Sequence, residues 1–157
     1  MYKEKISWEK FGEMCETLVE KLKTDSRKID FIYSPPRGGL PIAVYISHHL
    51  EISMINHISW GLDKIQNYIL VIDDVSDTGK TLFDINYRLK SAGKKTIFAT
   101  LHYKPKSIVI PDYYVEETEN WLIYPWECDQ EKPSQYHQEI YPELDDLWDI
   151  TGGKSIE

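Results

Sequence analysis

Two kinds of apolar pattern alternate along the chain and predict strands and helices in turn. Short apolar runs rich in β-branched residues have the pattern of buried strands, at residues 30–34, 52–58, 68–72, 95–101 and 113–116. Helical spacing of apolar positions falls at residues 7–24, 39–50 and 78–91. Strands that alternate with helices form a parallel sheet covered on both faces. We therefore predict an α/β fold with a mostly parallel twisted sheet flanked by helices.

Polar loops follow three of the predicted strands at their carboxyl ends, after residues 33, 72 and 102. Parallel sheets bind their ligands outside the carboxyl ends of the strands. We therefore expect these three loops to converge on one crevice.

The loop after residue 72 has the composition of a site for a phosphorylated sugar. Two adjacent carboxylates, Asp73 and Asp74, end the apolar run, and they can accept hydrogen bonds from vicinal sugar hydroxyls or hold Mg²⁺ through water. Hydroxyls, a further acid and a glycine follow at Ser76, Asp77, Thr78, Gly79 and Thr81. The next helix begins there, and the free N–H groups and dipole of a helix N-terminus attract phosphate.

Two other interpretations of this loop are weaker. Gly79, Lys80 and Thr81 resemble the end of a Walker A loop, but that motif needs a glycine where Asp74 stands, and a carboxylate there would repel nucleotide phosphates. The alternative is that the acids only cap and solvate a turn. Three acids within residues 73–77 are more than one cap requires.

Residues 71–81 read Val-Ile-Asp-Asp-Val-Ser-Asp-Thr-Gly-Lys-Thr and resemble the phosphoribosyl pyrophosphate (PRPP) signature of type I phosphoribosyltransferases. The resemblance implies the fold of that family, with a small hood region beside the sheet. It implies that Asp73 and Asp74 contact the ribose hydroxyls, directly or through Mg²⁺. It makes Asp77 the candidate catalytic base for N7 of a purine, although a loop-ordering role is open. The residues implied in binding the 5′-phosphate are Ser76, Asp77, Thr78, Gly79, Lys80 and Thr81.

A second loop, Ser-Pro-Pro-Arg-Gly-Gly at residues 34–39, follows the first core strand. Paired glycines let a backbone approach a ligand closely, and Arg37 can clamp an anion. Alone, the string also fits an ordinary turn. It resembles the pyrophosphate loop of purine phosphoribosyltransferases, which implies that Arg37 and Gly38 bind pyrophosphate. In those relatives the peptide before the basic residue is often cis, and here that bond is Pro36–Arg37.

Two later segments resemble the base pocket of bacterial and archaeal xanthine-guanine and hypoxanthine phosphoribosyltransferases. On their own, Lys104 also fits a solvated loop and Trp121 a core position. The resemblance implies that Lys104 contacts the purine 6-oxo group, that Trp121 stacks on the base and that the backbone of Leu122 meets its edge. It also implies that Glu127 helps Asp73 and Asp74 to hold Mg²⁺ with the pyrophosphate.

The segment between residues 59 and 67 departs from this family. Relatives carry a long mobile loop there that begins with Ser-Tyr and closes over the reacting centre, whereas here Trp60 replaces the tyrosine and only a few residues follow before Tyr68. A segment this short does not cover a site as a long lid does. The resemblance therefore does not extend to exclusion of water by a long lid.

Length and charge set the remaining expectations. The chain of 157 residues predicts a phosphoribosyltransferase domain at 1–127, including the hood segments, and an acidic extension of the same domain at 128–157, with a short helix at 139–148. A net charge of −8 argues against nucleic acid as a partner. We find no membrane-spanning or signal segment and expect a cytoplasmic homo-oligomer, a dimer or tetramer.

These features predict an enzyme that transfers a phosphoribosyl group from PRPP to guanine, xanthine or hypoxanthine, with Mg²⁺ as cofactor. The products are a nucleoside 5′-monophosphate and pyrophosphate, as in purine salvage. One alternative is a regulatory protein of the same fold that binds PRPP or a nucleotide without catalysis. Another is a transferase for a different base, such as a pyrimidine.

Overall fold

The computed structural model describes residues 2–128 of the chain. Compactness divides the chain into one unit at Met1–Pro125 and a second at Trp126–Glu157. The described part of the second unit is residues 126–128, so the helix predicted at 139–148 lies outside the described residues. The predicted boundary at residue 127 stays a prediction. The fold described below is that of the first unit.

A five-stranded parallel sheet forms the centre of this unit. Its strands stand in the order β3-β2-β4-β5-β6. Their bounds are β2 Ile29–Tyr33, β3 Met54–Ile55, β4 Tyr68–Ser76, β5 Lys95–Tyr103 and β6 Tyr113–Glu117. Strand β4, which carries the two adjacent acids, is the middle strand and is apolar and buried over its first half because it has neighbours on both edges. The predicted α/β fold is confirmed.

Three helices flank this sheet, with bounds α1 Trp8–Lys23, α2 Leu40–Leu50 and α3 Lys80–Ser91. The Ser7 side chain caps α1 by accepting a hydrogen bond from the Lys10 N–H at 3.1 Å, as its position before the apolar pattern predicts. The apolar faces predicted for α1 and α3 are buried. None of the helices within residues 2–128 has the length and apolar character needed to cross a membrane.

A second, two-stranded parallel sheet joins the ends of the first unit. It pairs β1, Lys3–Lys5, with β7, Trp121–Ile123. The Trp121 N–H donates to the Tyr2 carbonyl at 2.8 Å, and the Ile6 N–H donates to the Ile123 carbonyl at 2.9 Å. Strands of three residues are too short to show a periodic pattern, so the sequence does not reveal this sheet. It fixes the strand that carries Trp121 to the chain's N-terminal segment.

Strand lengths differ from the prediction at two places. Strand β4 does not end at residue 72 but continues through the acids to Ser76, because β5 runs beside it and pairs Asp73 with Thr100 and Ser76 with Tyr103. This ladder satisfies the backbone of polar residues whose side chains alone suggest a loop. Strand β3 is only two residues long, since it is an edge strand paired with β2 alone.

The short segment before β4 is a packed turn. It begins with a one-turn 3₁₀ helix at Ile58–Trp60, and the Ile65 side chain that follows is buried against the core beneath α3. The Asp30 carboxylate accepts hydrogen bonds from the N–H of Gln66 at 2.7 Å and of Asn67 at 2.6 Å. This part of the chain is therefore anchored by both an apolar contact and a charge-assisted one.

We expect the amides of Gln66 and Asn67 to be protected from hydrogen exchange in the ligand-free protein. Asp30→Ala removes their shared acceptor and should accelerate their exchange by about tenfold or more, the worth of one strong hydrogen bond. Asp63→Ala is the matched control, because it removes a carboxylate from the same turn. Equal exchange in both variants would contradict the anchoring role of Asp30.

Candidate active site

The three loops predicted to converge do lie together. A Cβ built on Gly39, in the loop after β2, would stand 2.5 Å from the Ile72 carbonyl oxygen of β4. The Lys104 N–H, in the loop after β5, donates to the Ser76 carbonyl at 3.0 Å. The carboxyl ends of three neighbouring strands thus supply one crevice, as parallel sheets do.

The two adjacent acids of this crevice, Asp73 and Asp74, carry charges that repel each other. The Asp73 carboxylate accepts from the Asp74 N–H at 3.0 Å, and the Asp74 carboxylate accepts from the Val75 N–H at 2.7 Å. Burial and then the charge of Asp74 raise the pKa of Asp73 well above its usual range. A cation or a set of sugar hydroxyls would relieve this repulsion.

The chemistry of this pair fits Mg²⁺, which prefers carboxylate oxygens and keeps waters and substrate phosphates as its other ligands. Within residues 2–128 no cluster of three or more histidines, cysteines or acids could hold a metal ion by itself. A Mg²⁺ site that uses one or two carboxylates and takes its other ligands from water and the substrate agrees with the ligand preference of Mg²⁺. It also needs no such cluster among residues 2–128. Glu127 is exposed and belongs to the second unit, so its part in holding the ion stays a prediction.

The phosphate loop between β4 and α3 is built around Gly79. Its φ of 78° lies in the left-handed region, and a Cβ there would stand 2.7 Å from the Val109 nitrogen, so only glycine fits. Gly79 caps α3 without a side chain, and the Lys80 N–H at the start of the helix donates to the Thr78 hydroxyl at 3.3 Å. Thr78, Lys80 and Thr81 are exposed beside it. A cavity of about 80 Å³ is lined by Asp73 and residues 75–82.

A wider groove of about 800 Å³ opens on the surface of α1 and β6, away from this crevice. Three glutamates line it, Glu13, Glu16 and Glu20. Carboxylates repel phosphate, and the one strand residue in its lining, Tyr113, lies at the amino end of β6. The smaller cavity at the start of α3 is therefore the better candidate for a phosphate site.

Ser76 has a role that the sequence does not reveal. Its side chain is buried, lies 2.8 Å from the Ser107 hydroxyl and donates to the Val109 carbonyl at 2.9 Å. The hydroxyl of Ser76 therefore joins the phosphate loop to the loop after β5. The only sequence signal is a hydroxyl in each of two loops that end neighbouring strands.

Asp77 lies between two lysines. Its carboxylate is 2.7 Å from the Lys106 ammonium and 3.3 Å from the Lys104 ammonium. Burial alone would raise the pKa of Asp77, but the hydrogen bond from Lys106 and the charge of Lys104 outweigh it and hold the pKa below its usual range. Asp77 is therefore an anion at neutral pH while both lysines contact it. Lys106 was not among the predicted site residues.

Lys104 connects the phosphate loop to the predicted base site. It is buried, with 4% of its surface exposed, so the solvated-loop interpretation is wrong. Its ammonium lies 5.8 Å from the centre of the Trp121 ring, within the range of a cation–π contact. Trp121 is 41% exposed, so it is not a core residue, whereas Leu122 beside it is buried. A flat ring and a buried ammonium thus share one end of the crevice.

The loop at residues 34–39 completes the crevice. The Pro36–Arg37 peptide is cis, as in the relatives that this loop resembles, and Arg37 is exposed. A Cβ added to Gly38 would fall onto the Asp74 carboxylate. The backbone of Gly38 therefore lies directly against one of the two acids.

Comparisons with known proteins agree with this geometry. The chain is 32% identical to a purine phosphoribosyltransferase from Pyrococcus horikoshii Ot3, with a TM-score of 0.72 over 86% of this chain and 100% of that one. A xanthine-guanine phosphoribosyltransferase from Desulfotalea psychrophila is 28% identical over 80% of this chain and 87% of its own length. A xanthine-guanine-hypoxanthine phosphoribosyltransferase from Helicobacter pylori shares the fold, with 23% identity and a TM-score of 0.69 over 82% and 94% of the two chains. No protein-family model matches the chain.

Asp73→Asn should weaken PRPP binding while it stabilises the fold. The raised pKa of Asp73 means that its charge destabilises the folded state at pH 7. This destabilisation grows as pH rises above the pKa of an aspartate in the unfolded chain, and it disappears below about pH 4. The variant should therefore have a higher Tm at pH 7 and an unchanged one at pH 3.5. PRPP affinity, measured in the presence of Mg²⁺, should fall about tenfold to a hundredfold, because one strong hydrogen bond is lost. Unchanged PRPP affinity by calorimetry would contradict the assignment.

Gly38→Ala should damage the site through sterics alone. The new methyl group would displace the Asp74 carboxylate, so we expect PRPP affinity to fall by about tenfold or more. Gly12→Ala is the matched control, because a Cβ at that position in α1 meets nothing within 4 Å and should stabilise the helix by about 1 kcal/mol. Parent-like PRPP binding by Gly38→Ala would show that no ligand depends on this contact.

Proposed function

We propose that this chain, which belongs to the type I phosphoribosyltransferases and is a purine phosphoribosyltransferase, transfers the phosphoribosyl group of PRPP to a 6-oxopurine. The observation that carries this choice of base is the buried Lys104 ammonium beside the exposed ring of Trp121. Guanine, xanthine and hypoxanthine all present a carbonyl oxygen at C6. The product in each case is a nucleoside 5′-monophosphate.

The chemistry of the lysine side chain supports an oxopurine over adenine. An ammonium has three donors and no acceptor, so it pairs with a carbonyl oxygen and not with an amino group. A buried donor that loses its partner costs free energy, which lets such a site reject a base that lacks the carbonyl. Trp121 supplies an apolar face on which a flat purine can stack.

The crevice offers a separate group for each part of PRPP. Asp73 and Asp74 would hold the ribose hydroxyls, and residues 76–81 would bind the 5′-phosphate, largely through N–H groups at the start of α3. Arg37 and Gly38 would bind the pyrophosphate. Asp73 and Asp74 would hold Mg²⁺, which when bound supplies positive charge to the leaving pyrophosphate.

Transfer joins N9 of the purine to C1′ of the ribose as the bond from C1′ to pyrophosphate breaks, with inversion at C1′. Asp77 would accept the hydrogen of N7. In the free protein the Asp77 carboxylate contacts the ammonium groups of both Lys104 and Lys106. When Lys104 turns to the 6-oxo group, Asp77 loses one cation, and its pKa rises toward a value suited to accepting a proton. Base binding would thus prepare the acceptor.

The direct test is turnover with PRPP, Mg²⁺ and a panel of bases: guanine, xanthine, hypoxanthine, adenine and uracil. We expect transfer to at least one oxopurine, with kcat/KM for adenine lower by about a hundredfold or more, as for a site that loses a buried hydrogen bond. Transfer to adenine or uracil alone would reassign the base. PRPP binding without transfer to any base would favour the regulatory alternative.

Lys104→Met should raise the KM for the base by about tenfold or more, because the 6-oxo group loses its donor while the aliphatic stem is kept. PRPP affinity should stay within about twofold, since Lys106 still contacts Asp77. Lys106→Met is the matched control: it contacts the same carboxylate from a half-exposed position and should leave the base KM unchanged. If Lys104→Met weakened PRPP binding as much as it raised the KM for the base, Lys104 would belong to the phosphate site instead.

A further inference from the structure

A buried tyrosine reaches the acid pair from the small sheet. Tyr124 directly follows β7, and its side chain is 2% exposed. Its hydroxyl donates a hydrogen bond of 2.9 Å to the backbone carbonyl of Asp74. The strand that presents Trp121 is thus tied to the strand that presents the two carboxylates. Neither the PRPP roles nor the base roles assigned above use this tyrosine.

The hydroxyl of Tyr124 is oriented by a second buried side chain, His102. The Nδ1 atom of His102 lies 2.9 Å from the Tyr124 hydroxyl oxygen, and the histidine is 0% exposed. A carbonyl can only accept, so the single hydroxyl hydrogen points to Asp74, and the hydroxyl oxygen must accept from His102. This contact therefore requires the tautomer with hydrogen on Nδ1.

The far side of the histidine does not disturb this arrangement. Its Nε2 has no hydrogen-bond partner within residues 2–128 and lies 3.8 Å from the Glu116 carboxylate, which is itself paired with Lys10. Burial lowers the pKa of His102 to about 4, despite the opposing charge of Glu116. The ring is therefore neutral at pH 7 and keeps its one hydrogen for Tyr124.

We propose that Tyr124 is a positioning residue for the acid pair and that His102 is the donor that orients it. The bond to the Asp74 carbonyl fixes the Asp74–Val75 peptide, whose N–H binds the Asp74 carboxylate, relative to the strand of Trp121. The ribose-binding and base-binding ends of the crevice are thereby held at a set separation. This inference rests on the proposed function for the identity of the ligand, but its test can be read from binding alone.

The first measurement compares Tyr124→Phe with Tyr113→Phe. Both variants delete a partly or fully buried tyrosine hydroxyl that donates one hydrogen bond. The Tyr113 hydroxyl donates to the Asp25 carboxylate at 2.8 Å and lies at the start of β6, away from the crevice. We expect both to lower the Tm. Only Tyr124→Phe should weaken PRPP binding in Mg²⁺, by roughly threefold to tenfold, the worth of one hydrogen bond. Its KM for the base should stay within about twofold.

The second measurement separates the orienting donor from simple packing. His102→Asn keeps an N–H near the position of Nδ1, whereas His102→Phe keeps the ring volume without a donor. We expect PRPP affinity close to the parent in the first variant and reduced in the second. The double variant of His102→Phe with Tyr124→Phe should be no weaker in PRPP binding than Tyr124→Phe alone, because the two groups act through one bond.

A purely structural role would show itself as a lower Tm for Tyr124→Phe with parent-like PRPP binding, and it would overturn the proposal. Equal PRPP affinity in His102→Asn and His102→Phe would remove His102 from it. A parent protein that binds PRPP but transfers it to no base would refute the proposed function and leave the positioning role readable by calorimetry. A parent that does not bind PRPP would overturn both.

Discussion

Repulsion between two adjacent carboxylates in a partly buried crevice is the constraint on which the rest of this site depends. Asp73 and Asp74 stand on the middle strand of the sheet, where the pairing of β4 with β5 continues past them to Ser76. Each carboxylate accepts the N–H of the following residue, which stabilises its charge locally. Without a ligand, the remaining repulsion lowers the stability of the folded state. Such costs concentrate at functional sites because a ligand can remove them.

The loop after β2 brings backbone against the Asp74 carboxylate. Gly38 has no Cβ, so the neighbouring loop approaches without covering the carboxylates with a side chain. Lys104 and Lys106 contact the Asp77 carboxylate in the loop that follows the acids. Positive charge is thus placed beside the third acid of this segment.

The sequence predicts the parts of the fold that have strong local signals. The apolar run of β4, the glycine at residue 79 and the apolar face of α3 predict a strand, a turn and a helix in succession, and the structure bears out these three elements. Long-range pairing is what the sequence does not contain. The ladder that extends β4 to Ser76, the β1–β7 sheet and the burial of Lys104 all depend on neighbours far away along the chain.

The anchored turn between residues 58 and 67 has a consequence for the entropy of binding. A long loop that becomes ordered over a substrate loses conformational freedom at about 1–2 kcal/mol for each residue fixed, and that loss subtracts from affinity. Here Ile65 is packed into the core, and Asp30 already binds the backbone of Gln66 and Asn67. These contacts order residues 65–67 when the chain folds. This part of the segment, which leads into the amino end of β4, therefore adds little to the ordering cost of substrate binding.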